Sequence, residues 1–273
     1  MSVHPDLRSL NIDIPTQPEP LAELSLLLAE EAVNLQSVGA VIEQDMALAS
    51  AVLKAVNASI YGLTRRVSNV HHAITYLGIR EIAGLTFEMA LRAVFPLVIE
   101  LEPIWERAAV RGVLMSRIAQ ALGADPWVAH SAGLFEECGK AVLYRHDPVK
   151  YPELLRKAVD DAGLLGLELD AYGITHDVLG AALCETWGLA AMAVHSVRYH
   201  VSINATLQLP EQAEYGSVCA MSILANTLMM DPDGLDEVIQ RVAPQAGLDT
   251  PTTLHRVRKV QTQIEEAVDR WGT

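Results

Sequence analysis

Residues 126–143 read PWVAHSAGLFEECGKAVL. Small and apolar residues recur there at helical spacing, and the only charges are Glu136, Glu137 and Lys140. Glu136 and Lys140 are four apart, the spacing of a pair on one helical face. Glu137 shares a face with Leu134, Ala141 and Tyr144, which predicts a buried carboxylate. A buried carboxylate must be paired, hydrogen-bonded or protonated, because isolated burial of charge is costly. The stretch therefore calls for a nearby cation or a polar cavity. Two readings stay open: a surface pair plus a buried acid met by an arginine, or a metal or ligand site. Arg107 lies on a predicted face with Val110, Leu114 and Ile118, where an arginine either snorkels outward or meets a buried acid such as Glu136 or Glu137.

Outward from this segment the period stays helical, and period-two strand patterns are hard to find. The chain reads as all-α. Helices are expected near 21–28, 38–43, 47–56, 70–77 and 81–94, with a turn at Asn57–Gly62. Pro96 to Pro103 forms a break, so the lobes are placed at 1–95 and 104–273. In the second lobe, helices are expected near 104–122, 126–143, 151–162, 176–187, 189–200, 213–230, 234–246 and 251–271. Thr175 is a predicted N-cap through its hydroxyl. Gly188 sits where a left-handed residue would stop the same helix. The last helix carries Leu254, Val257, Val260, Ile264, Val268 and Trp271 as one apolar stripe, which either faces a core or docks a second chain.

The chain has 273 residues, 51% hydrophobic and 20% charged, enough apolar material for a sizeable core. Twenty Lys and Arg against thirty-four Asp and Glu give a net charge of −14. That balance argues against non-specific binding to nucleic acid or to an anionic membrane. Three scattered cysteines without CxxC suggest a reducing cytoplasm and no disulfide framework. No targeting or membrane-spanning segment is expected. Cys138, flanked by Glu137, is expected to be a poor nucleophile, because adjacent carboxylates raise a thiol pKa. No phosphate-cradling glycine loop appears.

Certain pieces of the chain occur together in a recognisable order. They are Gln44-Asp45, Asn57-Ala58-Ser59, Tyr61-Gly62, Val67-Ser68, Ala73-Ile74 and Leu77-Gly78, followed by Gly133 to Lys140 and by Thr175 to Leu189. Over about residues 15–230 the chain resembles the HDOD domain, a signalling relative of the HD phosphohydrolases. Met46 replaces the family's usual proline. The resemblance implies a two-lobed helical domain of the HD superfamily.

Active HD phosphohydrolases ligate metal with a histidine, an adjacent His-Asp pair and a later aspartate. By the resemblance these positions fall on Arg107, on Glu136-Glu137 and near Asn226. Arginine cannot deprotonate to ligate a metal. The resemblance therefore implies a degenerate site of Arg107, Glu136, Glu137, Lys140, His176 and Asn226, with no metal, no cofactor and no catalysis. Arg107 is expected to replace the metal cation and hold both acids ionised. His176, His195 and His200 lie near the old cavity and read as structural hydrogen bonding or as a residual ligand pocket. His71-His72 read as surface or packing residues. The implied role is a cytoplasmic bacterial signalling module that contacts other signalling proteins, in networks tied to cyclic-di-GMP, motility, biofilm or virulence. Homo-oligomerisation stays open. The alternatives are a small-ligand or nucleotide sensor, with Arg107 and Lys140 meeting phosphate, and a weak metal-dependent phosphohydrolase using Glu136 and Glu137.

Overall fold

The computed structural model describes residues 12–28, 34–57 and 66–271, with side chains to residue 266. Among them there are helices and no strand. In chain order the helices are α1 (Glu19–Leu28), α2 (Leu35–Gln44), α3 (Met46–Val56), α4 (Val70–Leu77), α5 (Ile79–Ala93), α6 (Glu102–Leu122) and α7 (Pro126–His146). They continue as α8 (Tyr151–Lys157), α9 (Asp161–Tyr172), α10 (His176–Thr186), α11 (Ala191–Thr206), α12 (Ala213–Met230), α13 (Leu235–Val242) and α14 (Thr250–Trp271).

Contacts divide the chain into two compact units. The first comprises Phe95–Arg258 with the described part of Met1–Thr16, and the second comprises Gln17–Val94 with the chain from Lys259 onward. The contiguous lobes 1–95 and 104–273 therefore need correcting at both ends. The extended lead-in belongs to the first unit because polar contacts tie it there. Arg145 Nη2 donates to Asp13 at 2.6 Å, and Trp187 Nε1 donates to the Pro15 carbonyl at 2.9 Å. At the other end, α14 has 22 residues, about 33 Å of helix, and runs on past Arg258.

The second unit packs α1 to α5 around Leu24, Ile42, Val52, Ile74, Ile82 and Phe87, all fully buried or nearly so. Asn57 ends α3, and its amide bridges Leu53 and Val67: Nδ2 donates to both carbonyls, and Oδ1 accepts from Val67 N at 2.8 Å. The rest of the expected Asn57–Gly62 turn lies outside the described residues.

The first unit is organised around α7. Asp125 caps it, its Oδ1 accepting from Trp127 N and Val128 N. Every residue from Ala129 to Tyr144 is buried, the signature of a helix packed on all sides. Its neighbours are α6, α8, α10, α11 and α12. Gly139 permits the closest approach: a Cβ there would stand 1.8 Å from the His176 carbonyl oxygen of α10.

Two expectations change here, and a third holds. The helix expected at 151–162 breaks into α8 and α9, because Ala158 turns extended and Asp160 caps a fresh helix through Gly163 N. Thr175 occupies the N-cap position of α10, but its hydroxyl caps nothing and instead donates to Asp177 Oδ1. Gly188 does adopt the left-handed conformation, at φ 69°. In the apolar stripe of α14, Val257 and Val260 are buried and Leu254 and Ile264 are half-buried. The side chains of Val268 and Trp271 lie outside the described residues.

Candidate functional site

The carboxylates of Glu136 and Glu137 are wholly removed from water, and the cation they share most closely is Arg111. Arg111 is 1% exposed and heads the fully buried side chains by volume. Its Nη1 donates to Glu136 Oε2 at 3.0 Å, and its Nη2 lies 3.3 Å from Glu137 Oε1 and donates to Asn226 Oδ1 at 3.2 Å. Ser196 Oγ donates to the other Glu136 oxygen at 2.9 Å.

Arg107 stands one turn earlier on α6 and is 37% exposed. Its Nε donates to Glu137 Oε1 at 3.3 Å and its Nη2 to Asp161 Oδ2 at 3.2 Å. Lys140 Nζ closes the ring, at 2.7 Å from both Glu137 Oε2 and Asp161 Oδ1. Three cations thus meet three carboxylates. The sequence expectation is corrected on two points. Lys140 pairs with Glu137 at i,i+3 and not with Glu136. Arg107 shares with Arg111 the role assigned to it alone, since the buried face of α6 runs through Ala108, Arg111, Met115 and Ile118 while Val110 is exposed.

The two acids are shifted in opposite directions. Burial pushes Glu136 up to about 7, against the pull of Arg111 and of the Ser222 and Ser196 hydroxyls. Burial acts on Glu137 as well, but Lys140, Arg111 and Arg107 together outweigh it and hold the group well below the usual carboxylate range. One arginine therefore does not hold both acids equally ionised, because Glu136 has only one cation in contact.

His176 lies beside this ring and bonds elsewhere. Its Nδ1 and its backbone N both sit 2.8 Å from Glu168 Oε2, and Tyr151 OH donates to Glu168 Oε1 at 2.6 Å. The His200 ring packs against His176 at a 5.4 Å centroid distance. Burial, then His176 and Arg111, push His200 down to about 3, so its imidazole is neutral. His195 belongs to a different cluster, stacked on Tyr215 at 4.2 Å. Burial, more than its carboxylate neighbour, raises the Cys138 thiol.

Arg111, Asp161, Ser196, Glu168 and Tyr151 were not expected. Asp161 and Glu168 sit on α9, whose apolar residues do not gather on one face, and nothing local in α6 distinguishes Arg111 from a surface arginine. The residues present do not fit a metal ion. A permanently charged guanidinium contacts both acids, and it would repel a second cation. Among the described residues no group of three or more His, Cys, Asp and Glu could hold a metal, and no helix is long and apolar enough to cross a membrane.

A family model described as HDOD domain matches residues 14–203. An uncharacterized protein of Treponema pallidum (strain Nichols) is 27% identical over 230 residues, 81% of this chain and 43% of that protein. The chain spans less than half the length of this curated relative. A solved structure from Marinobacter aquaeolei VT8, provisionally described as a signal transduction protein, superposes with a TM-score of 0.72 at 20% identity, over 96% of this chain and 60% of that one. Another from Shewanella amazonensis SB2B, provisionally described as a phosphohydrolase, gives 0.71 at 19% identity over 99% and 100%. Both likenesses concern the fold.

Proposed function

The chain belongs to the HDOD family, and from that premise we propose that it is a non-catalytic signal-transduction module whose output is contact with other proteins. The observation that carries this reading is the Arg111 guanidinium on Glu136 and Glu137, in the place where a hydrolase of the superfamily would gather metal ligands. Without a metal, no group in the ring generates hydroxide near neutral pH or polarises a phosphoryl oxygen. Lys140 and Arg107 are both engaged by carboxylates, and the buried cysteines have raised thiols. The net charge of −14 fits protein partners better than nucleic acid or anionic lipid. The module works in the bacterial cytoplasm, in regulation linked to cyclic-di-GMP, motility, biofilm or virulence.

The test has two arms. Purified protein is assayed on phosphomonoesters and phosphodiesters with added manganese, magnesium, zinc or nickel, and no turnover above the blank is expected. Turnover abolished by Glu137→Ala would overturn the reading. Crosslinked capture from the native bacterium, identified by mass spectrometry, should recover signalling proteins in stoichiometric yield.

A further inference from the structure

Between α10 and α11, within the first unit, runs a groove of about 640 Å³. Its walls follow helical spacing. Val178, Ala181, Ala182 and Glu185 stand at i, i+3, i+4 and i+7 along α10. Ala191, Val194, His195 and Arg198 repeat the pattern along α11. Each wall is therefore one stripe of a helix, about 10 Å long. Leu179 and Leu183 of α10 and Val197 and His200 of α11 point into the core, so the groove is a second face on each helix. Its side chains are mostly small, and Gly188 lies between the two walls.

The charges of the groove do not cancel. Arg198 is matched: its Nη1 donates to Asp177 Oδ2 at 2.6 Å, and its guanidinium lies 5.3 Å from the centre of the Tyr199 ring. Glu185 is half-buried in the α10 wall, and among the described residues its carboxylate has no hydrogen bond or ion pair. Toward α12, His195 stacks on Tyr215 at 4.2 Å and lies 4.6 Å from Tyr199, which is 44% exposed. Burial pushes the His195 imidazole down against the pull of Glu214, so these rings are uncharged near neutral pH. The groove thus offers apolar and aromatic surface with one carboxylate that lacks a cation, on a chain of net charge −14.

This surface discriminates among the ways proteins hold a peptide. Strand addition needs an open sheet edge, and the described residues include no strand. A polyproline segment needs aromatic rings along its track, whereas here the rings gather at one end and small aliphatic residues line the rest. The ridges of a third helix fit between two helical stripes. We propose that the α10–α11 groove docks an amphipathic helix of a partner protein, with the partner's apolar stripe on Ala182, Val194 and Tyr199 and a lysine or arginine beside that stripe paired with Glu185. The proposal rests on the protein-contact reading and adds to it the surface and the chemistry of the partner.

Photocrosslinking in the native bacterium tests it. p-Benzoylphenylalanine replaces Ala191, exposed at the groove, in one version of the full chain, and Tyr76, 67% exposed on α4, in another. The Ala191 version is expected to give a discrete adduct, absent from the Tyr76 version, whose crosslinked peptide lies in a helix carrying lysine or arginine. Capture alone does not support the proposal. With the captured protein purified, Glu185→Lys should raise its Kd for the full chain about tenfold or more at an unchanged melting temperature. Changing the partner's basic residue to glutamate should then restore binding to that variant. A Kd indifferent to Glu185→Lys, an adduct on an acidic or non-helical segment, or the same adduct in equal yield from Tyr76 overturns the proposal. No adduct from Ala191 overturns it as well. General crosslinking of the unmodified chain in the same cells separates the two failures: recovered partners leave the protein-contact reading standing, and none removes both.

Discussion

Arg111 Nη1 and Glu136 Oε2 lie 3.0 Å apart with 1% and 0% of their side chains exposed, a salt bridge closed off from solvent at the centre of the first unit. Each charge was taken out of water at considerable cost, and each depends on the other for compensation.

Removing one partner should therefore be severe. Arg111→Ala is expected to destabilise by about 3–5 kcal/mol, since it leaves Glu136 buried without a cation and Glu137 with one fewer. Arg107→Ala, in a side chain that is 37% exposed, should cost about 1 kcal/mol or less. Replacing Arg111 and Glu136 together by methionine should recover most of the loss. Urea denaturation of the three variants checks the order, and an Arg107 variant weaker than the Arg111 variant would sink it.

Stability should fall as pH rises toward neutrality. Glu136 is pushed up to about 7 in the fold from an ordinary value of 4.5, so the native state binds the proton more tightly than the unfolded chain. Its contribution is fully present below about 4.5 and is lost as pH climbs through about 7, by at most about 3 kcal/mol. Glu88 in the second unit is raised to about 7 by its own burial and adds to the trend. Glu137 and Asp161 are shifted downward, so their contribution is lost only in acid, below the ordinary carboxylate range. Glu136→Gln should flatten the decline between about pH 5 and pH 8, measured as the urea midpoint. An equally steep decline in that variant would exclude Glu136 as a source.

Gly139→Ala should be among the most damaging single substitutions, at about 3 kcal/mol or more. The added methyl would meet the His176 backbone carbonyl, which cannot swing aside like a side-chain tip. Soluble yield and melting temperature report the effect, and a variant that melts within a degree or two of the wild type contradicts the close approach.

Tyr151→Phe removes one short hydrogen bond, 2.6 Å long, to the buried Glu168 carboxylate. A loss of about 1.5–3 kcal/mol is expected, as for a hydrogen bond to a charged group. Circular dichroism of the unfolding transition should show it without any change in helix content.

Most of the helices could be read directly, because apolar spacing in α4, α7 and α12 is dictated by local burial. Gly188 was legible for a similar reason, since its backbone conformation is a local demand. Asp161 and Arg111 were not legible. An arginine inside a helix reads as solvent-facing unless its acid is known, and Glu136 approaches Arg111 from 25 residues away. Helix α9 was hidden by its own composition. Leu164 is buried while Leu169 is exposed, and the residue that most commits the helix to the interior is the charged Glu168.

The guanidinium of Arg111 also works as a ratchet. Installing histidine at 136 and aspartate at 137 would place metal ligands around a cation that is already there, so the pair would gain no affinity for zinc or manganese. Substituting Arg111 first would strand two buried acids and weaken the fold before any metal could repay the loss. Building a metal centre at these positions therefore requires Arg111 to change together with both acids.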